Sequence, residues 1–128
     1  MRKIARIGLA TFFILAGTLH FVKTAGYVRI VPAGFPDPKT LVYISGALEI
    51  FGGAGVIISR VRRLAGCGLI ALLAAVYPAN IAMAVHHAAF ADMASPLLLW
   101  LRLPLQFALA AWVWYAAVSD APRSTEAP

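Results

Sequence analysis

The stretch LAGCGLIALLAAVYPANIAMAV, residues 64–85, decides the fold class of this chain. It contains no Asp, Glu, Lys or Arg. An α-helix rises about 1.5 Å per residue and the hydrocarbon core of a bilayer is about 30 Å thick, so a run of this length can cross the bilayer as one helix. The stretch therefore predicts a transmembrane helix.

Three further apolar segments accompany it, at residues 4–22, 41–58 and 96–118. The 128-residue chain is 62% hydrophobic and only 12% charged. A soluble domain of this size cannot bury so much apolar surface. We therefore predict an all-α integral membrane four-helix bundle over residues 1–118, followed by a polar, disordered cytoplasmic tail over residues 119–128.

The basic residues lie in short flanks of the apolar segments rather than on one face. With the N-terminus inside, seven lie on the cytoplasmic side and three on the other: Arg2, Lys3, Arg6, Arg60, Arg62, Arg63 and Arg123 against Lys23, Arg29 and Lys39. The positive-inside rule then places both termini in the cytoplasm, in a bacterial-type inner membrane. A basic face with interleaved aromatic residues is missing, which excludes nucleic acid as a partner.

The connection at residues 23–40, KTAGYVRIVPAGFPDPKT, contains Pro32, Pro36 and Pro38, so we expect no regular helix there. Its apolar side chains are too numerous for a free loop. We predict an ordered, Pro-rich cap folded over the outer end of the bundle. At the last connection, Ser95 followed by Pro96 predicts the start of the fourth helix.

Cys67 is the single cysteine of the chain. Without a cysteine pair, membrane thiol–disulfide oxidoreductases are excluded. No metal site is predicted.

Polar residues at membrane depth are the candidate ligand-binding residues, because such groups are costly in hydrocarbon and face the bundle interior. Each predicted helix contributes at least one, in the middle or outer part of the membrane. They are His20, Glu49, Asn80, Arg102 and Gln106. Tyr77 and His87 share a helix face with Asn80 and are secondary candidates.

Glu49 and Arg102 are expected to be coupled, directly or through Gln106 or a water, because an unpaired charge is costly in hydrocarbon. Gln106 and Asn80 could satisfy the remaining hydrogen bonds. Pro78 and Pro104 each free a carbonyl one turn earlier and could shape a cavity. Three interpretations stay open: Arg102 snorkels outward as an anchor, the pair only fixes helix register, or the cluster binds a ligand.

Five motifs resemble the DoxX-like family of small membrane proteins. They are GTLHF (17–21), the VP and FPDP loop (31–38), SGALEIFGG (45–53), YPANIAM (77–83) and LWLRLPLQ (99–106). The resemblance covers about residues 8–115 and implies a four-helix membrane bundle. The wider family includes the small subunit of a thiosulfate:quinone oxidoreductase and members associated with redox and sulfur-detoxifying proteins. It implies importance for the same five polar positions.

Four functions compete on these grounds. The first is a redox-associated subunit that binds a quinone or similar apolar ligand. No flavin or nucleotide motif is present, so the chain is at most an oxidoreductase subunit beside a redox partner protein, and whether it is an enzyme stays open. The others are a non-enzymatic scaffold or lipid-binding module with a structural Glu–Arg cluster, a disfavoured bis-histidine haem protein using His20 and His87, and a transporter, which would require a homodimer.

Overall fold

The computed structural model of the chain describes residues 2–31 and 34–119. The α-helices in these residues are α1 (Arg2–Val22), α2 (Thr24–Ile30), α3 (Pro38–Ile57), α4 (Arg62–Val85) and α5 (Pro96–Val113). A 3₁₀ turn, His87–Phe90, follows α4, and a π turn, Trp114–Val118, extends α5. The described residues contain no strand, so the all-helical prediction is confirmed.

Four of the helices are long and apolar enough to cross a membrane: α1, α3, α4, and α5 with its π turn. Their bounds fall within a few residues of the four apolar segments. They mark a multi-pass membrane protein. The predicted tail beyond Ser119 lies outside the described residues.

The helices pack in the order α1, α3, α4, α5. α1 packs far more extensively on α3 than on α5. The hydrogen bonds that tie α1 to α5 and its π turn lie near the N-terminal end of α1, at Arg2, Ala5 and Arg6. We call this end of the bundle the basic end and the opposite end, covered by α2, the cap end. The larger buried cluster, which includes Leu9, Phe13 and Val113, fills the basic half, and a smaller one of Met83, Ala84 and Leu99 lies toward the cap end.

Two arginines of α1 join the start of that helix to the end of α5. Arg2 Nη1 donates to the Tyr115 carbonyl at 2.6 Å and to Ser119 Oγ at 3.1 Å. Arg6 Nε donates to the Ala116 carbonyl at 2.8 Å. The last carbonyls of a helix lack donors within the helix and carry its negative dipole end, so cationic donors stabilise them.

Arg62 plays the same part for α3. Its Nε donates to the Val56 carbonyl at 2.7 Å and its Nη2 to the Ile57 carbonyl at 3.2 Å. The basic flanks that predict orientation are thus also caps for helix ends.

The crossing of α1 and α3 brings two backbones into contact. A Cβ on Gly17 would lie 2.6 Å from the Gly46 carbonyl oxygen, and a Cβ on Gly46 would lie 2.8 Å from that of Gly17. A Cβ on Gly53 would lie 3.1 Å from the Ala10 carbonyl oxygen. Small residues one turn before and after Glu49, together with Gly17 of α1, therefore allow this close approach.

The expectation of no regular helix in residues 23–40 is wrong, because Thr24–Ile30 forms α2. All three prolines lie beyond Val31, so the N–H donors of α2 are intact. The prediction of an ordered cap is confirmed for residues 24–31, since α2 packs on α1, α3 and α4. Asp37, with φ of 49°, then turns the chain into Pro38, the first residue of α3.

Ser95 begins α5 as predicted. Its Oγ accepts a hydrogen bond from the Leu98 N–H at 3.4 Å, and Pro96 occupies the first helical position.

Candidate functional site

A cavity of about 810 Å³ lies among the four long helices, with α2 over its cap end. This volume is within the range of about 300–1,000 Å³ that is usual for small-molecule sites. Most of its lining is apolar. The side chains with polar atoms that line it are His20, Tyr27, Ser45, Glu49, Asn80, Arg102, Gln106 and Trp112. All five primary candidates from the sequence thus reach one cavity.

Glu49 faces His20 across the α1–α3 crossing. Its Oε2 lies 3.3 Å from His20 Nδ1, and the two side chains are 16% and 12% exposed. His20 Nδ1 donates instead to the Ala16 carbonyl at 2.9 Å. Glu49 Oε2 is buried and has no hydrogen-bond partner among the described residues. A buried acceptor in this state is costly, and a ligand donor in the cavity would satisfy it.

Tyr27 of α2 covers this pair. Its ring stacks on the ring of His20, with centroids 4.0 Å apart and planes at 22°. Burial raises the pKa of Tyr27, the charge of Glu49 raises it further, and the charge of Arg102 lowers it. The phenol therefore stays protonated at neutral pH. Its hydroxyl can both donate and accept a hydrogen bond, close to the charges of Glu49 and Arg102.

Tyr27 was absent from the candidates chosen from the sequence. It lies outside the four apolar segments, which supplied the five candidates. A signal was nevertheless present, because the segment that contains Tyr27 is predicted to fold over the outer end of the bundle.

Arg102 of α5 lines another side of the cavity. Its Nη1 donates to Met83 Sδ at 3.6 Å, a weak acceptor. Among the described residues, no carboxylate forms a salt bridge with Arg102. The direct contact expected between Arg102 and Glu49 is therefore wrong, because the close crossing of α1 and α3 holds Glu49 beside His20 of α1. Coupling of the two charges through a water stays a prediction. The guanidinium is left facing the cavity without an anionic partner in the described part of the chain.

Asn80 and Gln106 bind each other rather than Arg102. Asn80 Nδ2 donates to Gln106 Oε1, and Gln106 Nε2 donates to the Leu73 carbonyl. The expected bridge from Gln106 to the charged pair is thus wrong as well. Pro78 lies inside α4 and has no N–H for the Ala74 carbonyl, and Gln106 binds the carbonyl one residue earlier. This Asn80–Gln106 clamp joins α4 to α5 beside Pro78.

The secondary candidates lie away from the cavity lining. Tyr77 packs edge-on against Phe107, with ring centroids 5.4 Å apart. His87 is exposed and begins the 3₁₀ turn after α4. Of the two histidines considered for haem, only His20 lines the cavity.

Residues 9–117 match the family described as Domain of unknown function (DUF8561). The chain belongs to the DUF8561 family. The matched range contains every polar residue that lines the cavity. No curated protein and no solved structure gives a significant match.

The cap of this DUF8561 member is latched to the connection after α4. Arg29 Nη1 and Nη2 donate to Asp92 Oδ2 and Oδ1 at 2.8 and 3.0 Å, and Nη2 also donates to the Ala89 carbonyl at 2.9 Å. Such two-pronged contacts between a guanidinium and a carboxylate fix orientation as well as distance. The Arg29–Asp92 latch thus holds α2, and with it Tyr27, over the cavity.

Acid is expected to loosen this latch. The hydrogen bond from Arg29 lowers the pKa of Asp92 below its unfolded value. The contribution of the pair is therefore full above the unfolded pKa and is lost as pH falls through the folded pKa. Both side chains are well exposed, so the effect is local and small.

Amide protection factors of α2 should fall over this pH range in the native chain. In the Asp92→Asn variant, the protection factors of α2 should already be low at neutral pH and should not change with pH. Identical pH profiles for the native chain and the variant would contradict the latch.

Proposed function

We propose that this chain is a DoxX-like, redox-associated membrane subunit that binds a quinone or a similar lipid-soluble molecule in the cap-end cavity. One observation carries the proposal: a largely apolar cavity of about 810 Å³ contains an unsatisfied carboxylate oxygen of Glu49 and the guanidinium of Arg102. Pockets with an apolar lining and a few convergent polar groups are the usual form of small-molecule sites.

The polar groups suit a ring that carries oxygens at opposite ends. A ligand hydroxyl can donate to Glu49 Oε2, and a second ligand oxygen can accept from Arg102. The stacked rings of Tyr27 and His20 offer a flat wall for an aromatic or quinoid ring. A quinol has this pattern of donors and acceptors, and a quinone, which carries acceptors only, can accept from Arg102.

The resemblance to DoxX-like proteins supports the redox association, because the five positions matched there are cavity residues here. The sequence carries no nucleotide or flavin motif, so a partner protein would exchange electrons with the bound quinone. We place this activity in a bacterial-type inner membrane, with the basic end and both termini in the cytoplasm.

Quinone binding by the purified chain tests the proposal. A short-chain ubiquinone titrated into nanodiscs should quench the fluorescence of Trp112 saturably, because this side chain lines the cavity. Arg102→Leu should weaken ubiquinone binding about tenfold or more, since a hydrogen bond to a charged group contributes about 1.5–3 kcal/mol. Glu49→Gln removes the acceptor for a ligand hydroxyl, so it should weaken binding of the corresponding ubiquinol, the form that carries hydroxyls, by a similar factor.

Tyr77→Phe is the matched control, because Tyr77 was a sequence candidate that lies outside the cavity lining; it should bind as the native chain does. Non-saturable quenching in the native chain would contradict the proposal. So would native affinity in both charge variants.

A second candidate is a non-enzymatic membrane scaffold or lipid-binding module. The Asn80–Gln106 clamp favours it, because these two side chains bind each other and the Leu73 carbonyl without a ligand. Under this alternative, Glu49→Gln and Arg102→Leu would change stability and leave the quinone titration flat in every variant.

A further inference from the structure

The cavity has a polar part and an apolar part. Glu49, Tyr27 and Arg102 lie toward the cap. An apolar extension runs between α1 and α5, which we call the α1–α5 seam. The seam is lined by Phe12, Ala16, Leu105, Ala108, Leu109 and Trp112.

The packing of the bundle explains this seam. The contact between Gly17 and Gly46 draws α1 toward α3, and the Asn80–Gln106 clamp draws α5 toward α4. α1 and α5 are tied together at the basic end, where Trp112 Nε1 also donates to the Ala5 carbonyl at 3.1 Å.

Toward the cap end, α1 contributes Ala16 and α5 contributes Ala108 to the lining, and the two helices pack little on each other. Phe12 and Trp112, with ring centroids 6.4 Å apart, mark the lower limit of the seam.

The surface of the seam is suited to hydrocarbon. Phe12 and Leu105 line the cavity and are 45% and 62% exposed. Both helices meet the requirements of a membrane span, so this opening faces the lipid phase. The cap end, in contrast, is covered by α2 and its latch. A ligand that reaches the polar part through the seam never has to leave the bilayer.

We propose that the ligand is an uncharged amphiphile, of the prenylated quinone class, whose hydrocarbon chain leaves the cavity through the α1–α5 seam. This inference rests on the proposed function and adds the shape of the ligand and its route. Its head lies at Glu49 and Arg102. An acidic and a basic side chain share the cavity. The repulsion between an anionic phospholipid head and Glu49 would therefore offset the attraction of that head to Arg102.

Closing the seam tests the route. Ala108→Trp places a large ring in the opening. Long-chain ubiquinone should then bind at least about tenfold more weakly, whereas a ubiquinone that lacks the chain should keep its affinity to within about twofold. Ala111→Trp is the matched control, because Ala111 lies on the same helix, is exposed and does not line the cavity; it should bind both probes normally.

Each outcome decides something. If the native chain binds neither probe, the proposed function fails and the inference falls with it. If Ala108→Trp weakens both probes equally, or neither, the seam is not the route, while the quinone site stands. If native mass spectrometry shows a retained two-chain phospholipid that Ala108→Trp removes, the assignment of the amphiphile is overturned.

A second measurement avoids dependence on the folding of the variant. A ubiquinone with a photoreactive diazirine at the far end of its chain is crosslinked to the native protein in nanodiscs. Labelling of peptides that contain Phe12 and Leu105 is the expected result. Labelling confined to α2 would overturn the route.

Discussion

Gly17→Val is expected to lower the free energy of unfolding by about 3 kcal/mol, the upper end of the usual cost of overpacking. A Cβ at this position would lie 2.6 Å from the Gly46 carbonyl oxygen and 2.8 Å from Ile50 Cγ1. The oxygen belongs to the backbone and cannot rotate away, so α1 and α3 must separate along the crossing. The same movement would part His20 from Glu49 and enlarge the cavity. Unfolding in mixed micelles with increasing dodecyl sulfate measures the loss.

Gly68→Val is the matched control for this substitution. Nothing lies within 4 Å of a Cβ at Gly68. Its effect should stay within about 0.5 kcal/mol, as for other surface positions. Equal unfolding profiles for the two valine variants would show that the crossing does not limit stability.

The Asn80–Gln106 clamp should give the second large effect. Gln106→Leu leaves Asn80 and the Leu73 carbonyl without that partner at membrane depth, and Asn80→Leu leaves Gln106 Oε1 unpaired. Each should destabilise by about 1–2 kcal/mol, since interhelical hydrogen bonds in membranes contribute up to about 1.7 kcal/mol and stranded groups add to the loss. The double variant should be less harmful than the sum of the two, as expected for residues in contact.

A double-mutant cycle in the same unfolding assay tests the clamp. Strict additivity would mean that the two side chains do not stabilise each other. Ubiquinone affinity supplies a second readout, because these substitutions should lower it less than Arg102→Leu does. The Asn80–Gln106 clamp would then be the structural part of the cluster, and Glu49 and Arg102 would be its ligand-binding part.

The four spans could be predicted from the sequence because the property that defines them is local and additive. Apolar residues in a run of sufficient length predict a span whatever the rest of the chain does. The prediction of no regular helix in residues 23–40 failed because a proline affects only the backbone of its immediate neighbours. All three prolines follow Thr24–Ile30, so they do not prevent that helix.

The cavity residues could be predicted, but their partners could not. The sequence indicated that His20, Glu49, Asn80, Arg102 and Gln106 all face inward. Which of them touch depends on how far each helix shifts sideways, and the glycine contact between α1 and α3 fixes that shift. The cost of an unpaired charge at membrane depth led to the pairing of Glu49 with Arg102, whereas lateral packing brings Glu49 to His20.

The arginine ties at the basic end also impose an order on assembly. Arg2 binds a carbonyl 113 residues further along the chain, and Arg6 binds one 110 residues away. During synthesis, α1 can pack on α3 and α3 on α4 as each is inserted. These contacts of α1 can form only after α5 and its π turn have been synthesised. The last event is thus the closing of the ring of helices, and the cavity acquires its final walls only at that moment.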